Sequence, residues 1–262
     1  MTSKRIAGPS GMIQVDDGGT GGLPVLFLHG FSGNSSHWAA QLAHLRPRRR
    51  AITMDLRGHG GSDAPPDGTY TVESQAADVR AVLDGLDVRH VVLVGHSLGG
   101  AIAIAVAGRD PERVVGLVLA AAPGRLPEEQ ANQIIGGMEA DYEATSAGYW
   151  DRLTADAAPD TLAQIERERH DLDAVTGLAI IRATFGFDPE PALRAYPGPK
   201  LAIVTPRAAA PHELHNVVAG VPHRVISGTS HFFQMDRPDE FNAILDEFLA
   251  MVDAAVPGFA SR

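Results

Sequence analysis

Residues 91–107 read VVLVGHSLGGAIAIAVA and place three signals in a row. The four apolar residues 91–94 predict a short buried strand, and the small apolar residues 100–107 predict a helix. Between them lies the pattern Gly-x-Ser-x-Gly at 95–99, with Ser97 at its centre. Such a pattern between strand and helix is typical of a sharp turn that exposes the serine hydroxyl, with glycines that permit close packing. The alternative is a glycine-rich turn without chemistry, and the flanking strand and helix make it the weaker interpretation.

Similar apolar runs recur along the chain and alternate with helical patterns. The runs are 25–28, 51–54, 91–94, 114–119, 201–204 and 224–226. Because they are continuously apolar, they are typical of strands buried on both faces, as in a parallel sheet. Helical spacing of apolar residues marks 72–86 and the stretch that follows Pro238. The alternation predicts an α/β fold with a mainly parallel, doubly wound sheet.

The composition and charge of the chain argue against several classes of partner and chemistry. The chain has 262 residues, 44% of them hydrophobic, a formal net charge of −10 and no cysteine. A field of that sign repels phosphate backbones, which argues against nucleic acid, and the absence of cysteine excludes disulfides and thiol chemistry. The N-terminal stretch lacks the apolar run of a signal peptide, and no apolar run is long enough to span a bilayer. We therefore expect a cytoplasmic protein without a membrane partner.

One stretch, 124–187, breaks the alternation of strands and helices. It is helical, charged and interrupted by glycines, and no strand is evident in it. We predict a helical lid inserted into a core formed by 1–123 and 188–262. The alternative is a pair of ordinary crossover helices with long loops. Large apolar side chains in the stretch predict an apolar pocket, although helix packing explains them equally well: Met138, Tyr142, Tyr149, Trp150, Phe185 and Phe187.

Two further loops carry residues suited to catalysis. His29-Gly30-Phe31 follows the run 25–28, where a backbone N–H can help to hold an oxyanion together with the N–H of Leu98. His231 follows the last predicted strand and precedes the last helix. Loops after parallel strands gather at one edge of the sheet, and histidine has a pKa suited to accepting the serine proton.

Four motifs together resemble the α/β-hydrolase superfamily. They are HGF at 29–31, DLRGHGGS at 55–62, GHSLGG at 95–100, and SH at 230–231 followed by QMDRP at 234–238. The resemblance is to the small lidded members: esterases, lactonases, cofactor-free haloperoxidase-like enzymes and carbon–carbon bond hydrolases. It implies the α/β-hydrolase fold, with the 55–62 segment as a structural turn beside the site.

The same resemblance assigns roles to individual residues. It implies that Ser97 is the nucleophile, that His231 is the base, and that the Phe31 and Leu98 amides form the oxyanion hole. Haloalkane dehalogenases and epoxide hydrolases carry Asp in place of Ser97 and are excluded. Carbon–carbon hydrolases usually have a Trp soon after the catalytic histidine, where this chain has FFQ at 232–234.

The third member of the expected triad is missing from its usual place. The family carries an Asp or Glu after the strand that corresponds to 201–204, but here the loop contains Ala208, Ala209 and Ala210. The alternative family position, after 114–119, is also empty. Glu213 is the nearest carboxylate and the candidate acid. The favoured interpretation is instead a solvated Glu at the start of a helix.

No metal or organic cofactor is expected. His212 and His215 could share a helix face, but the sequence is not His-Glu-x-x-His and no further ligand is evident. We predict a serine hydrolase that cleaves a small-molecule carboxylic ester or lactone through an acyl-enzyme, with the oligomeric state left open. The alternatives are a cofactor-free perhydrolase or oxygenase, a carbon–carbon bond hydrolase, or a non-catalytic ligand-binding relative without the triad acid.

Overall fold

The computed structural model describes residues 2–206 and 213–256, which form one eight-stranded sheet. Its strands are β1 (Thr2–Gly8), β2 (Gly11–Gly18), β3 (Val25–Leu28), β4 (Ala51–Met54), β5 (Val91–His96), β6 (Val114–Ala120), β7 (Lys200–Val204) and β8 (His223–Val225). Their spatial order is β1-β2-β4-β3-β5-β6-β7-β8. Strand β2 pairs antiparallel with β1 and β4, and every other pair is parallel. The predicted α/β class with a mainly parallel sheet is therefore confirmed.

The described residues also form eleven helices and a 3₁₀ turn at Ser35–Trp38. The helices are α1 (Ala39–Leu45), α2 (Val72–Gly85), α3 (Leu98–Arg109), α4 (Glu128–Ala140), α5 (Tyr142–Thr154), α6 (Pro159–Glu168), α7 (Ala174–Gly186), α8 (Glu190–Ala195), α9 (Leu214–Val217), α10 (Phe233–Asp236) and α11 (Pro238–Ala255). Helices α4–α7 follow one another between β6 and β7, within the stretch 124–187, and we call them the α4–α7 segment. No helix among those described is long and apolar enough to cross a membrane.

The centre of the sheet is buried on both faces. Every residue of β3, β4 and β5 is buried. Leu26 and Leu28 belong to a hydrophobic cluster that includes residues of α2 and α3, whereas Val25 and Phe27 belong to a second cluster with residues of α1 and α11. Successive side chains of a strand point to opposite faces, so each central strand contributes to both clusters. The helices thus cover both faces, as expected for a doubly wound sheet.

The first two strands were not among those predicted from the sequence. In β2 only alternate side chains are buried, namely Ile13, Val15 and Asp17. Strand β1 lies at the edge of the sheet and is mostly exposed. Such strands lack the continuous apolar run by which the central strands were identified.

The parallel strands bring several loops to one edge of the sheet. Phe31 follows β3, Ser97 follows β5, Ala121 follows β6, Thr205 follows β7, and His231 follows β8. In an open α/β sheet, ligands bind beside the carboxyl ends of the strands. A ligand site is therefore expected at this edge of the sheet.

Candidate active site

Ser97 lies in the turn between β5 and α3 in a backbone conformation that L residues rarely adopt. Its φ is 51° and its ψ is −116°. A non-glycine residue in such a region costs on the order of 1–3 kcal/mol and persists only where the surrounding structure enforces it. The side chain of Ser97 does not cap α3. A strained serine whose hydroxyl is not used to cap the helix points to a functional role for that hydroxyl.

Glycines make this turn possible because the backbone passes so close to itself. A Cβ atom on Gly95 would lie 2.3 Å from the Gly99 carbonyl oxygen, and one on Gly99 would lie 2.3 Å from the Leu28 carbonyl oxygen. Both distances are too short for any side chain. The two glycines of the Gly-x-Ser-x-Gly pattern therefore pack α3 against the ends of β3 and β5.

Ser97 opens into a cavity of about 730 Å³. The cavity also contains His231 and Glu213, so the structure brings the three predicted side chains to one space. Its other polar lining comes mainly from the α4–α7 segment: Gln130, Gln133, Thr145, Tyr149, Arg152 and Thr184. Of the aromatic residues predicted to line the pocket, Tyr149 and Phe185 do so. The lining is mixed rather than purely apolar, because Arg152 and Glu213 both contribute to it.

The backbone of His231 is held by two hydrogen bonds. The His96 ring donates from Nε2 to the His231 carbonyl oxygen at 3.0 Å, and the His231 N–H donates to the Leu153 carbonyl oxygen at 2.9 Å. The preceding residue, Ser230, donates both its N–H and its hydroxyl to Asp236, at 2.8 and 2.6 Å. The loop that carries His231 is thus fixed to α5 on one side and to His96, the last residue of β5, on the other.

The His231 ring is neutral at pH 7. Burial lowers the pKa of His231 to about 4, so the ring is neutral at pH 7. Its Nε2 atom is buried and has no hydrogen-bond partner in the described part of the chain. Within residues 2–206 and 213–256, no carboxylate hydrogen-bonds this ring, so the orienting acid of a triad is not found there.

The amides of Phe31 and Leu98 are both available as donors. Within the described ranges neither donates a backbone hydrogen bond. Leu98 is the first residue of α3, where the helix leaves its N–H groups unsatisfied and its dipole favours negative charge. The loop that carries Phe31 lies against the serine, since a Cβ on Gly30 would be 3.3 Å from Ser97 Cβ.

Buried histidines hold the loop that carries Phe31. The His29 ring donates from Nδ1 to the Gly30 carbonyl oxygen at 2.7 Å and accepts the Leu56 N–H at Nε2, at 2.9 Å. Burial lowers the pKa of His29 well below its ordinary value. The Ser32 N–H donates to His59 Nε2 at 3.2 Å. The rings of these two neutral histidines hydrogen-bond to backbone atoms of the loops around the site.

The segment 55–62 acts as a structural turn. The Asp55 carboxylate accepts hydrogen bonds from the Ser35 and Gly61 N–H groups at 2.8 and 2.9 Å. Arg57 forms an ion pair with Asp78 at 2.6 Å, and both side chains are almost completely buried. None of these groups is among the residues that line the cavity.

An aromatic stack joins the loop that carries Phe31 to the loop that carries His231, through a side chain of the α4–α7 segment. The Trp150 ring of α5 lies nearly parallel to Phe31 at 5.7 Å and to Phe232 at 6.4 Å. Phe31 carries one candidate oxyanion amide, and Phe232 follows His231 directly. The sequence singled out Trp150 only as a pocket residue, but its ring is 4% exposed and serves as a spacer between the loops.

Helix α6 forms a second connection to the loop after β3. His37 in the 3₁₀ turn hydrogen-bonds the Glu168 carboxylate at 2.5 Å, and the Ser32 hydroxyl donates to the Glu168 carbonyl oxygen at 3.2 Å. Burial opposes the charge on Glu168, but the hydrogen bond from His37 holds the pKa of Glu168 below its ordinary value. The α4–α7 segment is thus attached to the site at two separate points.

The loop expected to carry the triad acid is only partly described. Glu213 has extended backbone angles and directly precedes α9, in agreement with a residue at the start of a helix. Ala208, Ala209, Ala210 and His212 lie outside the described residues. The predictions about the triple-alanine loop and about a metal at His212 and His215 therefore stay predictions.

Comparison with known proteins identifies a family. A family model described as alpha/beta hydrolase fold matches residues 24–173, more than half of the chain. The chain is 29% identical over 259 residues to a putative 2-succinyl-6-hydroxy-2,4-cyclohexadiene-1-carboxylate synthase of Bacillus subtilis (strain 168), covering 90% of this chain and 94% of that protein. Its fold is similar to that of the enol-lactonase from Burkholderia xenovorans LB400, with a TM-score of 0.82, 25% identity, and coverage of 94% and 99%.

A more local likeness is to the dihydrolipoyllysine-residue acetyltransferase component of the acetoin cleaving system of Pseudomonas putida. The two are 41% identical over 107 residues. This match covers 41% of the present chain and spans only 29% of the acetyltransferase component. The likeness therefore concerns a part of that protein.

Proposed function

The chain belongs to the α/β hydrolase fold family, and from that premise we propose that it is a serine hydrolase that cleaves a carboxylic ester or lactone. The observation that carries the proposal is the strained Ser97, which shares its cavity with the neutral His231 and lies beside two uncommitted amides. The likeness to an enol-lactonase agrees with this reaction class.

In the proposed reaction the Ser97 hydroxyl attacks the substrate carbonyl while His231 accepts its proton. The negative charge that develops on the carbonyl oxygen is stabilised by the Phe31 and Leu98 N–H groups. Collapse of the intermediate breaks the ester bond, and the His231 proton passes to the departing alkoxide. Water, deprotonated by His231, then attacks the acyl-enzyme, and the second collapse releases the acid and restores Ser97.

The burial of His231 supports this role but also has a cost. A neutral ring is ready to act as a base at pH 7. In a Ser-His-acid site, however, a carboxylate holds the ring tautomer and stabilises the imidazolium, and its loss reduces turnover by about 10⁴. Within residues 2–206 and 213–256 no carboxylate hydrogen-bonds the His231 ring. We therefore propose that the site works as a weak Ser-His dyad rather than a full triad.

Kinetics of the Ser97→Ala variant test the function. We expect wild-type protein to hydrolyse p-nitrophenyl butyrate, and Ser97→Ala to reduce turnover by a factor on the order of 10², because a site without the orienting acid has already lost about 10⁴ of the activity of a full triad. Ser3→Ala is a matched control, because Ser3 is an exposed residue of the edge strand β1. Turnover in Ser97→Ala equal to wild type would refute the assignment.

A non-catalytic ligand-binding protein is the second candidate. It is favoured by one observation, namely that no carboxylate of the described residues hydrogen-bonds His231. It predicts that a panel of short-chain esters and lactones is not turned over, although ligands still bind in the cavity. Ester hydrolysis that depends on Ser97 would exclude it.

A further inference from the structure

One face of helix α5 forms a wall of the cavity, and the positively charged Arg152 lies at the C-terminal end of that face. Thr145, Gly148, Tyr149 and Arg152 all line the cavity, and spacings of three and four residues place them on the same side of a helix. The Arg152 guanidinium lies 5.9 Å from the centre of the Tyr149 ring, within the range of a cation–π interaction. It extends back over the helix, since a Cβ on Gly148 would be 3.9 Å from Arg152 Nη1.

The charge of Arg152 has no counterpart on its own side of the cavity. Among the described lining residues Arg152 is the only Lys or Arg, and Glu213, which follows β7, is the only carboxylate. Across residues 2–206 and 213–256, no ion pair is formed by Arg152. Neutral donors surround the same space, because Gln130 and Gln133 of α4 also line it.

A guanidinium in such a position is suited to a carboxylate. Its planar N–H groups bind both oxygens of a carboxylate in parallel, and such charge-assisted bonds are about twice as strong as neutral ones. The protein as a whole carries a net charge of −10, and a field of that sign repels anions. Recognition of an anionic substrate therefore needs a local cation, which Arg152 supplies in this cavity.

Building on the proposed function, we propose that Arg152 binds a carboxylate of the substrate and that the enzyme prefers esters or lactones that carry a second, free carboxyl group. The reacting carbonyl lies at Ser97, and the free carboxylate lies against α5. Arg152 is then a specificity-determining residue, and Tyr149 holds its guanidinium in place.

Paired substrates separate this role from a structural one. The p-nitrophenyl monoesters of succinic, glutaric and adipic acid are each compared with the same compound methylated on its free carboxyl. The two members of a pair are nearly equal in size but differ in charge, and the three pairs differ in chain length. We expect Arg152→Gln to lower the ratio of kcat/KM for the acid over its methyl ester by about 10–100-fold. Arg152→Lys keeps the charge but loses the paired hydrogen bonds, so it should restore part of the ratio. Arg167→Gln is the control, since Arg167 is an exposed residue of α6 that does not line the cavity.

A binding measurement keeps this inference independent of turnover. Calorimetry of glutarate with Ser97→Ala should show binding that is lost in the Ser97→Ala, Arg152→Gln double variant. An unchanged acid-to-methyl ratio in Arg152→Gln, or equal losses for both esters, would overturn the role of Arg152 while leaving the hydrolase proposal intact. If wild type hydrolyses none of the esters, the hydrolase proposal fails, and glutarate binding alone then decides on Arg152.

Discussion

His231 should remain an active base well below neutral pH. Its ordinary pKa is about 6.5, and burial lowers this pKa to about 4. At pH 5.5 a ring of ordinary pKa would be only about 10% neutral, whereas a ring with a pKa of about 4 would be about 97% neutral. We therefore expect kcat/KM for a neutral ester to stay nearly level between pH 7.5 and 5.5 and to fall only as the pH approaches 4. A paired histidine of raised pKa would instead lose most of its activity over that range.

Burial of histidines also makes the stability of the fold depend on pH. The assay must therefore separate loss of activity from unfolding at low pH. The pKa of His59 is also lowered to about 4 by burial, and burial lowers the pKa of His29 and His96 well below the ordinary value. Below pH 6.5 the unfolded chain therefore binds more protons than the folded chain, so the free energy of unfolding decreases as the pH falls from 6.5 towards 4. For His231 alone the difference of about 2.5 pKa units corresponds to about 3 kcal/mol.

Initial rates after a rapid pH jump separate the two effects. The protein is held at pH 7.5 and mixed into buffers from pH 3.5 to 8, with circular dichroism used to confirm the fold over the time of the assay. His90→Gln, at an exposed position, should leave the profile unchanged. An acid limb centred near pH 6.5 or higher would refute the account, because it would require a carboxylate to stabilise the charged His231 ring.

Two further predictions concern the acid and the aromatic stack. Glu213→Gln should change the turnover of a neutral ester little, whereas Ala209→Asp should raise it by supplying an orienting carboxylate. A loss of about 10²-fold or more in Glu213→Gln would identify Glu213 as the working acid. If neither variant changes turnover, the site is not a dyad that lacks its acid. Trp150→Ala should lower kcat about 10-fold by releasing Phe31 and the loop of His231, and should lower the free energy of unfolding by about 3–5 kcal/mol, whereas Trp150→Phe should retain most of both. A folded Trp150→Ala protein with wild-type kcat would show that the stack does not position the site.

The central strands could be predicted because their signal is local. The run 91–94 corresponds to β5, Val91–His96, and the run 25–28 coincides with β3. Strands buried on both faces must be apolar at every position, so a short window of sequence suffices. Strands β1 and β2 contact the core on one face or hardly at all, and their windows look polar.

In the candidate site, too, some residues could be predicted from local sequence and others could not. Ser97 and His231 could be proposed because each follows a strand, and the carboxyl ends of parallel strands meet at one edge. Trp150 and Arg152 could not be assigned roles, because these depend on how α5 packs over two loops that are distant in sequence. No window around α5 contains Phe31 or Phe232. The acid remains open because the loop at 205–213 lacks a carboxylate where the family places one.

Covalent labelling tests directly whether Ser97 is an activated nucleophile. Wild-type protein is incubated with a serine-directed phosphonate and its peptides are read by mass spectrometry, with heat-denatured protein and Ser97→Ala as controls. An activated nucleophile predicts one adduct per chain, on Ser97, that is absent from both controls and greatly slowed in His231→Gln. An unmodified Ser97 in native protein, or an adduct that forms equally well on denatured chain, would contradict the account.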